Sequence, residues 1–167
     1  MQKVMKKKTT YILILSEVFP KGHPRQGQPT GFREAFLRGQ DSPRGEGAKI
    51  HTLRGNLSLW EQRAARVNAG KAVLSVRQWS GKPYRKGSTM VEIGRLTRLG
   101  IQHVMMDMAE GKPFAIVRDD DMAGRMVSIG AIASGDGLSE EDFIPWFRLS
   151  VVNGFNGCIL HFTDFRY

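Results

Sequence analysis

From Ala72 to the C-terminus the chain is a succession of short apolar segments set between short polar turns, and that spacing limits the folds open to it. The segments read "AVLSVRQW", "TMVEIGRL", "IQHVMMDM", "PFAIVRD", "MVSIGAIA" and "GCILHFTDFRY". They are rich in β-branched and aromatic residues, and "AVLSVRQW" alternates as a half-buried strand does. Parallel neighbours need a crossover of about a dozen residues or more, whereas antiparallel neighbours need only a turn. The spacing therefore predicts an antiparallel sheet closed or nearly closed into a small barrel, with two or three helices at its ends. "SGKPYRKGS" is a turn region, and the acidic "DDDMAG" joins "PFAIVRD" to "MVSIGAIA" as a hairpin. Ser139 with Asp142 starts a last short helix, "EEDFIPWFRL", bent at Pro145.

The N-terminal part supplies the remaining elements. "TYILILSEVF" is a nearly continuous apolar run and reads as a buried strand. "KGHPRQGQPTG" is a loop. Thr30 caps a short helix through "FREAFLRG" that ends at Gly39, and "QDSPRGEG" is a second loop. Ser58 and Glu61 form a capping box for a helix that runs to Gly70. The expected organisation is a flexible basic N-terminus over residues 1–10 and a single α+β domain over residues 11–167.

Composition removes several classes. A chain of 167 residues with 41% hydrophobic content can bury one core. The single cysteine, Cys158, allows no internal disulfide and no cysteine zinc site. The four histidines are far apart, so no metal and no cofactor is expected. No apolar run approaches the ~20 residues of a membrane span. The basic then apolar start "MQKVMKKKTTYILILSEVF" lacks the length and cleavage site of a signal peptide, so the expected location is cytoplasmic. Charge is more informative. The formal net charge is +9, with 20 Lys and Arg against 6 Asp and Glu in residues 1–100, and 5 against 10 in residues 101–167. A positive field concentrated in one part of the chain suits a polyanion, since each neutralised phosphate releases counterions.

One segment gathers the polar chemistry. "GAKIHTLRGN" places Lys49, His51, Thr52 and Arg54 within six positions. Lysine and arginine can hold phosphate, while His51 or Thr52 can bond a base edge or a 2′-hydroxyl. The same set fits amide cleavage, with Thr52 as nucleophile, Lys49 as base if burial lowers its pKa, and Arg54 beside the oxyanion. Asp136, between Gly135 and Gly137 in what reads as an exposed loop, is the acid that could orient the lysine. In a plain strand Lys49 and Thr52 would point to opposite faces, so a shared site needs a break in the alternation. Farther along, Trp79 and Tyr84 stand among Arg77, Lys82, Arg85 and Lys86, a set able to stack a base and hold a backbone. Trp60 and Trp146 read as core residues of helices. "RDDDMAG" lacks calcium-loop spacing and reads as a hairpin tip.

The order of these motifs resembles the ASCH domain, a member of the PUA-like superfamily. The resemblance rests on "GAKIHTLRGN", with the G-x-K-x-x-T-x-R pattern at Gly47, Lys49, Thr52 and Arg54, and on "AGKAVLSVRQW", "GDGLSEEDFIPWF" and "GCILHFTDFRY". It covers about residues 30–167. It implies a PUA-like, mainly antiparallel pseudo-barrel with two to three peripheral helices and a cleft beside the motif. It also implies RNA binding, and small relatives are amidohydrolases of N4-acetylcytidine that use the motif lysine, the threonine and a later glutamate. Lys49 and Thr52 match. The glutamate has no match in this sequence: the stretch before "LSEEDF" holds Ser134 and Asp136 instead, and Glu140 and Glu141 fall in a helix turn.

Two functions follow. The first is a binding module for RNA or a nucleotide, expected as a monomer, with Lys49, His51, Thr52, Arg54, Arg77, Trp79, Tyr84 and Arg85 as its contacts. The alternative is a metal-independent amidohydrolase of an acylated base or nucleoside, with Lys49, Thr52 and Asp136 as catalytic residues. A carboxylate within hydrogen-bond reach of Lys49 favours the enzyme. A cleft lined only by basic and aromatic groups favours the binder.

Overall fold

A computed structural model describes residues 7–121, 123–151 and 154–167. Residues 1–6 of the basic N-terminus and Met122 of the acidic hairpin lie outside the described residues. In chain order the elements are β1 (Thr9–Ile14), α1 (Phe32–Asp41), β2 (His51–Arg54), α2 (Leu57–Asn68), β3 (Ala72–Trp79), β4 (Met90–Leu96), β5 (Gly100–Ala109), β6 (Lys112–Arg118), β7 (Gly124–Val127), α3 (Ile129–Gly135), α4 (Glu140–Trp146) and β8 (Phe155–His161). Among the described residues the strands form a three-stranded sheet, β1-β3-β4, and a five-stranded sheet, β2-β8-β5-β6-β7. The architecture is α+β with mostly antiparallel pairing, and the two sheets stay open rather than closing into one barrel.

The departure from a simple antiparallel ladder begins at β1. It pairs with β3 in parallel, Thr9 opposite Ala72 through Ile14 opposite Arg77. The intervening α1, β2 and α2 provide the crossover that parallel pairing needs. Thr9 and Thr10, expected in the N-terminal tail, belong to this strand. As an edge strand β1 is only half buried, with Leu13 inside and Ile12 40% exposed, rather than a fully covered run. Strand β3 lies between β1 and β4, so its first five residues are all buried, Ser75 included, where alternation had predicted one wet face.

Helix ends also differ from the expected caps. Asn56, at φ 50, caps α2 by accepting from the Leu59 N–H at 3.1 Å, in place of Ser58. The helix still ends before Gly70, at φ 71. Gly31 precedes α1, and Thr30 accepts from the Phe32 N–H one position earlier than expected. Gly39 lies inside α1 rather than ending it. A Cβ there would fall 2.6 Å from the Lys49 carbonyl oxygen, so the lack of a side chain lets α1 touch the chain entering β2.

The largest correction is "MVSIGAIA". Only its start pairs, as β7 against β6, and Ser128 then caps α3 through the Ala131 N–H at 3.1 Å. Ile129, Ile132 and Ala133 turn inward with the helical spacing of three and four, next to Phe143 of α4. Ser139 caps α4 through the Asp142 N–H, as read from the sequence, and Pro145 sits in its last turn. Among the described residues no helix is long and apolar enough to cross a membrane.

Candidate functional site

The site is assembled at the C-terminus of α3. Gly137 adopts φ 78, its N–H bonds the Ser134 carbonyl at 3.0 Å, and the Leu138 N–H bonds the Ala133 carbonyl at 2.9 Å. This is the Schellman pattern, which glycine permits because the left-handed position has no Cβ penalty there. It leaves Asp136 as the C-cap residue, 2% exposed, where the sequence had suggested an exposed loop.

Lys49 closes the helix end. Its Nζ donates to the Asp136 carbonyl at 2.7 Å and to Asp136 Oδ1 at 2.5 Å, with the side chains 1% and 3% exposed. The ammonium thus satisfies a carbonyl that the helix leaves unpaired and offsets the negative end of its dipole. The Phe32 ring lies under it, 4.0 Å from Nζ. Burial pulls the Lys49 pKa down and pushes the Asp136 carboxyl up, each opposed by the charge of the other.

Lys49 and Thr52 converge because the alternation starts only at His51. The Lys49 N–H bonds the Ala35 carbonyl and the Ile50 N–H bonds the Gly135 carbonyl, so this stretch is held by α1 and α3 before β2 begins. Thr52 then shares the Asp136 side. Arg54 Nη1 donates to Thr52 Oγ1 at 3.0 Å and to the Leu53 carbonyl at 2.7 Å, and Nη2 donates to the Ile14 carbonyl at 2.7 Å. Arg54 therefore ties the edge of one sheet to β1 of the other, and its Nε makes no hydrogen bond among the described residues. The Thr52 hydroxyl also acts on Asp136, helping to hold its carboxyl down against burial.

Thr52, Arg54 and Asp136 face a cavity of about 220 Å³, with Lys49 behind Asp136; the other walls of the cavity are Ile14, Leu15, Ser16, Phe32, Trp146 and Phe147. The volume is below the ~300–1,000 Å³ of drug-sized sites and fits a single small ring with a short substituent. Its aromatic wall was missed in the sequence, where Trp146 reads as core. Trp146 and Phe147 are both half-buried, packed against the core on one side and open to the cavity on the other, and no local pattern in "PWF" tells these two roles apart.

The other sequence candidates lie elsewhere. His51 points away from Lys49 into a buried cluster with His161 and Tyr167. The Tyr167 hydroxyl donates to the Ala131 carbonyl at 3.0 Å and so accepts from His51 Nε2–H at 2.7 Å. His161 Nε2–H donates to Gln102 Oε1 at 2.9 Å. Both Nδ1 atoms are left without a partner among the described residues. Burial holds His51 well below the ordinary imidazole value and His161 at about 3, so both rings are neutral structural groups. Arg77 is bound to Ser75, at 2.8 Å, rather than to the cavity. Trp79, the last residue of β3, packs against Tyr84 at 5.1 Å, and Tyr84, 87% exposed, stands with Arg85 on the β3–β4 connection; none of the three lines the cavity. Gly81 and Gln78 attach that region to Glu17 and Ser16, beside the cavity mouth.

Among the described residues no group of three or more His, Cys, Asp or Glu side chains is placed to hold a metal ion. No protein-family model, no curated protein and no solved structure matches this chain.

Proposed function

We propose that the protein is an amidohydrolase that removes a small acyl group from the amino group of a single-ring nucleobase, free or in a nucleoside such as N4-acetylcytidine. The observation that carries this reading is the carboxylate of Asp136 within hydrogen-bond reach of Lys49, on the same cavity wall as the Thr52 hydroxyl. The support is chemical. A carboxyl raised by burial is a better base near neutrality than an exposed one. A hydroxyl that accepts from a guanidinium reaches its alkoxide at lower cost. An arginine with a free N–H beside it can bond the developing oxyanion.

In the proposed reaction Thr52 Oγ1 bonds to the acyl carbon and its proton passes to Asp136, which takes the base's role read from the sequence for Lys49 because Asp136 lines the cavity and Lys49 does not; Lys49 holds Asp136 in place. The tetrahedral intermediate collapses with loss of the C–N bond, and the amine leaves carrying that proton. Water then attacks the threonine ester, giving the carboxylic acid and restoring the hydroxyl. The aromatic wall of Phe32, Trp146 and Phe147 would stack the ring. The same reading takes the two sheets as the halves of a PUA-like pseudo-barrel of the ASCH kind.

Incubation with N4-acetylcytidine, followed by chromatography, tests the reading. The expected result is deacetylation that persists in EDTA and falls at least ~10²-fold in Thr52→Val, with the fold kept. Turnover that survives Thr52→Val would remove the nucleophile. Binding of the nucleoside without any turnover would leave the second reading, a nucleotide or RNA-binding module, which the concentrated positive charge of residues 1–100 favours.

A further inference from the structure

A second concave site lies at the other end of α1. Phe32, the first residue of the helix, lines the cavity described above, while Gln40, one residue before its end, lines a groove of about 940 Å³. The groove runs between the loop after α1, the turn before β5 and the C-terminal tail, and it presents Arg44, Arg98 and Arg166 against the single carboxylate of Asp164.

The positive charge there is poorly compensated. Arg98 and Asp164 are 3.9 Å apart with side chains 83% and 91% exposed, a geometry in which an ion pair contributes little. Arg166 is placed more firmly. Its Nη1 donates to the Thr163 carbonyl at 2.9 Å and to the Phe165 carbonyl at 2.6 Å. Its guanidinium lies against the backbone of Gly100, where a Cβ would come within 1.9 Å of Nη2. Burial is the main cause that lowers the Arg166 pKa; Asp164 opposes it, and the charge of Arg98 adds a smaller lowering. Both guanidiniums line one groove, and an anion between them would relieve their repulsion. Phe165, 43% exposed, adds an apolar ring on the same wall.

We propose that this groove binds the backbone of a single-stranded nucleic acid, with Arg98 and Arg166 on phosphate oxygens and Phe165 stacking a base. One arginine held in place, Arg166, and one free in solvent, Arg98, beside an exposed ring supply the phosphate contacts and the stacking that strand binding without sequence readout uses. Helix α1 separates the groove from the cavity by about 15 Å. At ~3.4 Å per stacked nucleotide, one strand could span both sites in about four to five nucleotides. The inference goes beyond the hydrolase reading and stands without it, because free-nucleoside hydrolysis needs none of these residues.

The test is fluorescence anisotropy with a labelled single-stranded RNA 12-mer and the full chain, across a potassium chloride series. Binding is expected to weaken with salt, and Arg98→Gln and Arg166→Gln are each expected to reduce the log–log slope by ~0.7. Gly100→Ala changes no charge and leaves a residue that a strand accommodates, but displaces Arg166, so it should lose as much affinity as Arg166→Gln. Phe165→Ala should lose about 5- to 150-fold, the equivalent of stacking one base. DNA of the same sequence should bind comparably, whereas millimolar inorganic phosphate should compete weakly. Absence of binding at 50 mM salt would overturn the proposal, as would full affinity in the Gly100 and Arg166 variants. So would affinity lost instead in Lys82→Gln/Arg85→Gln/Lys86→Gln. Phosphate competing as well as the oligonucleotide would reassign the groove to a free anion.

Discussion

The cavity and the groove at the two ends of α1 both hold arginine, yet they treat charge in opposite ways. In the cavity, Lys49 and Asp136 are almost fully buried, bonded to each other, and shifted toward their neutral forms by desolvation. In the groove, Arg98 stays in water with a loose partner. Burying a charge costs several kcal/mol unless it is paired, so the fold retains it only where a partner has been built. Exposed charge costs little and can be left unpaired for something that arrives from solution. The buried set therefore suits chemistry, and the exposed set suits capture of a polyanion.

The contrast is broken most directly at Lys49. Lys49→Met should cost about 3–5 kcal/mol in urea unfolding, because Asp136 is left buried and unpaired. Adding Asp136→Leu should recover most of that loss, since two apolar side chains remove the uncompensated charge. Arg98→Gln should stay within ~0.5 kcal/mol of the parent. Equal losses at Lys49 and Arg98 would dissolve the distinction.

Acid sharpens it next. His51 and His161 have folded pKa values below the unfolded value, so the unfolded chain binds more protons as pH falls below ~6.5. The stability they contribute is complete above ~6.5 and declines toward the folded value, about 3 for His161. The slope should be at most ~1.4 kcal/mol per pH unit for each ring. Urea midpoints between pH 7 and 5 should fall, and His161→Gln should flatten that fall. A flat profile in the parent would mean that the rings are not buried neutral.

Smaller effects test the framework between the two sites. Gly39→Ala pushes a methyl toward the Lys49 carbonyl and should cost about 1–3 kcal/mol, read as a lower melting temperature. The Cys158 thiol, pushed up to about 12 by burial, should resist a thiol reagent at pH 8 in the native chain and react once unfolded. Rapid native labelling would show that the β2–β8 edge opens.

Much of the secondary structure could be read along the chain. Five of the six segments after Ala72 are strands, because pattern and β-branched content agree locally. "MVSIGAIA" is the exception. A run of small and apolar residues satisfies strand and helix alike, and the choice was made by Ser128 capping and by packing on α4. The parallel β1–β3 pair was illegible for a related reason, since no local pattern states which distant segment will lie alongside.

By itself the sequence determined that a lysine, a threonine and an arginine sit together in one segment, and that positive charge gathers in the first 100 residues. The sequence also offered Asp136 as the acid, but only the tertiary structure decided that it is buried against Lys49, which of the flanking side chains share their face, and that His51 does not. Those outcomes depend on contacts between residues 87 apart, as for Lys49 and Asp136, and on a left-handed glycine that turns a helix end inward. Spacing along a chain sets side-chain direction only within one regular element. Across elements, direction is set by what the packed core and its satisfied hydrogen bonds allow.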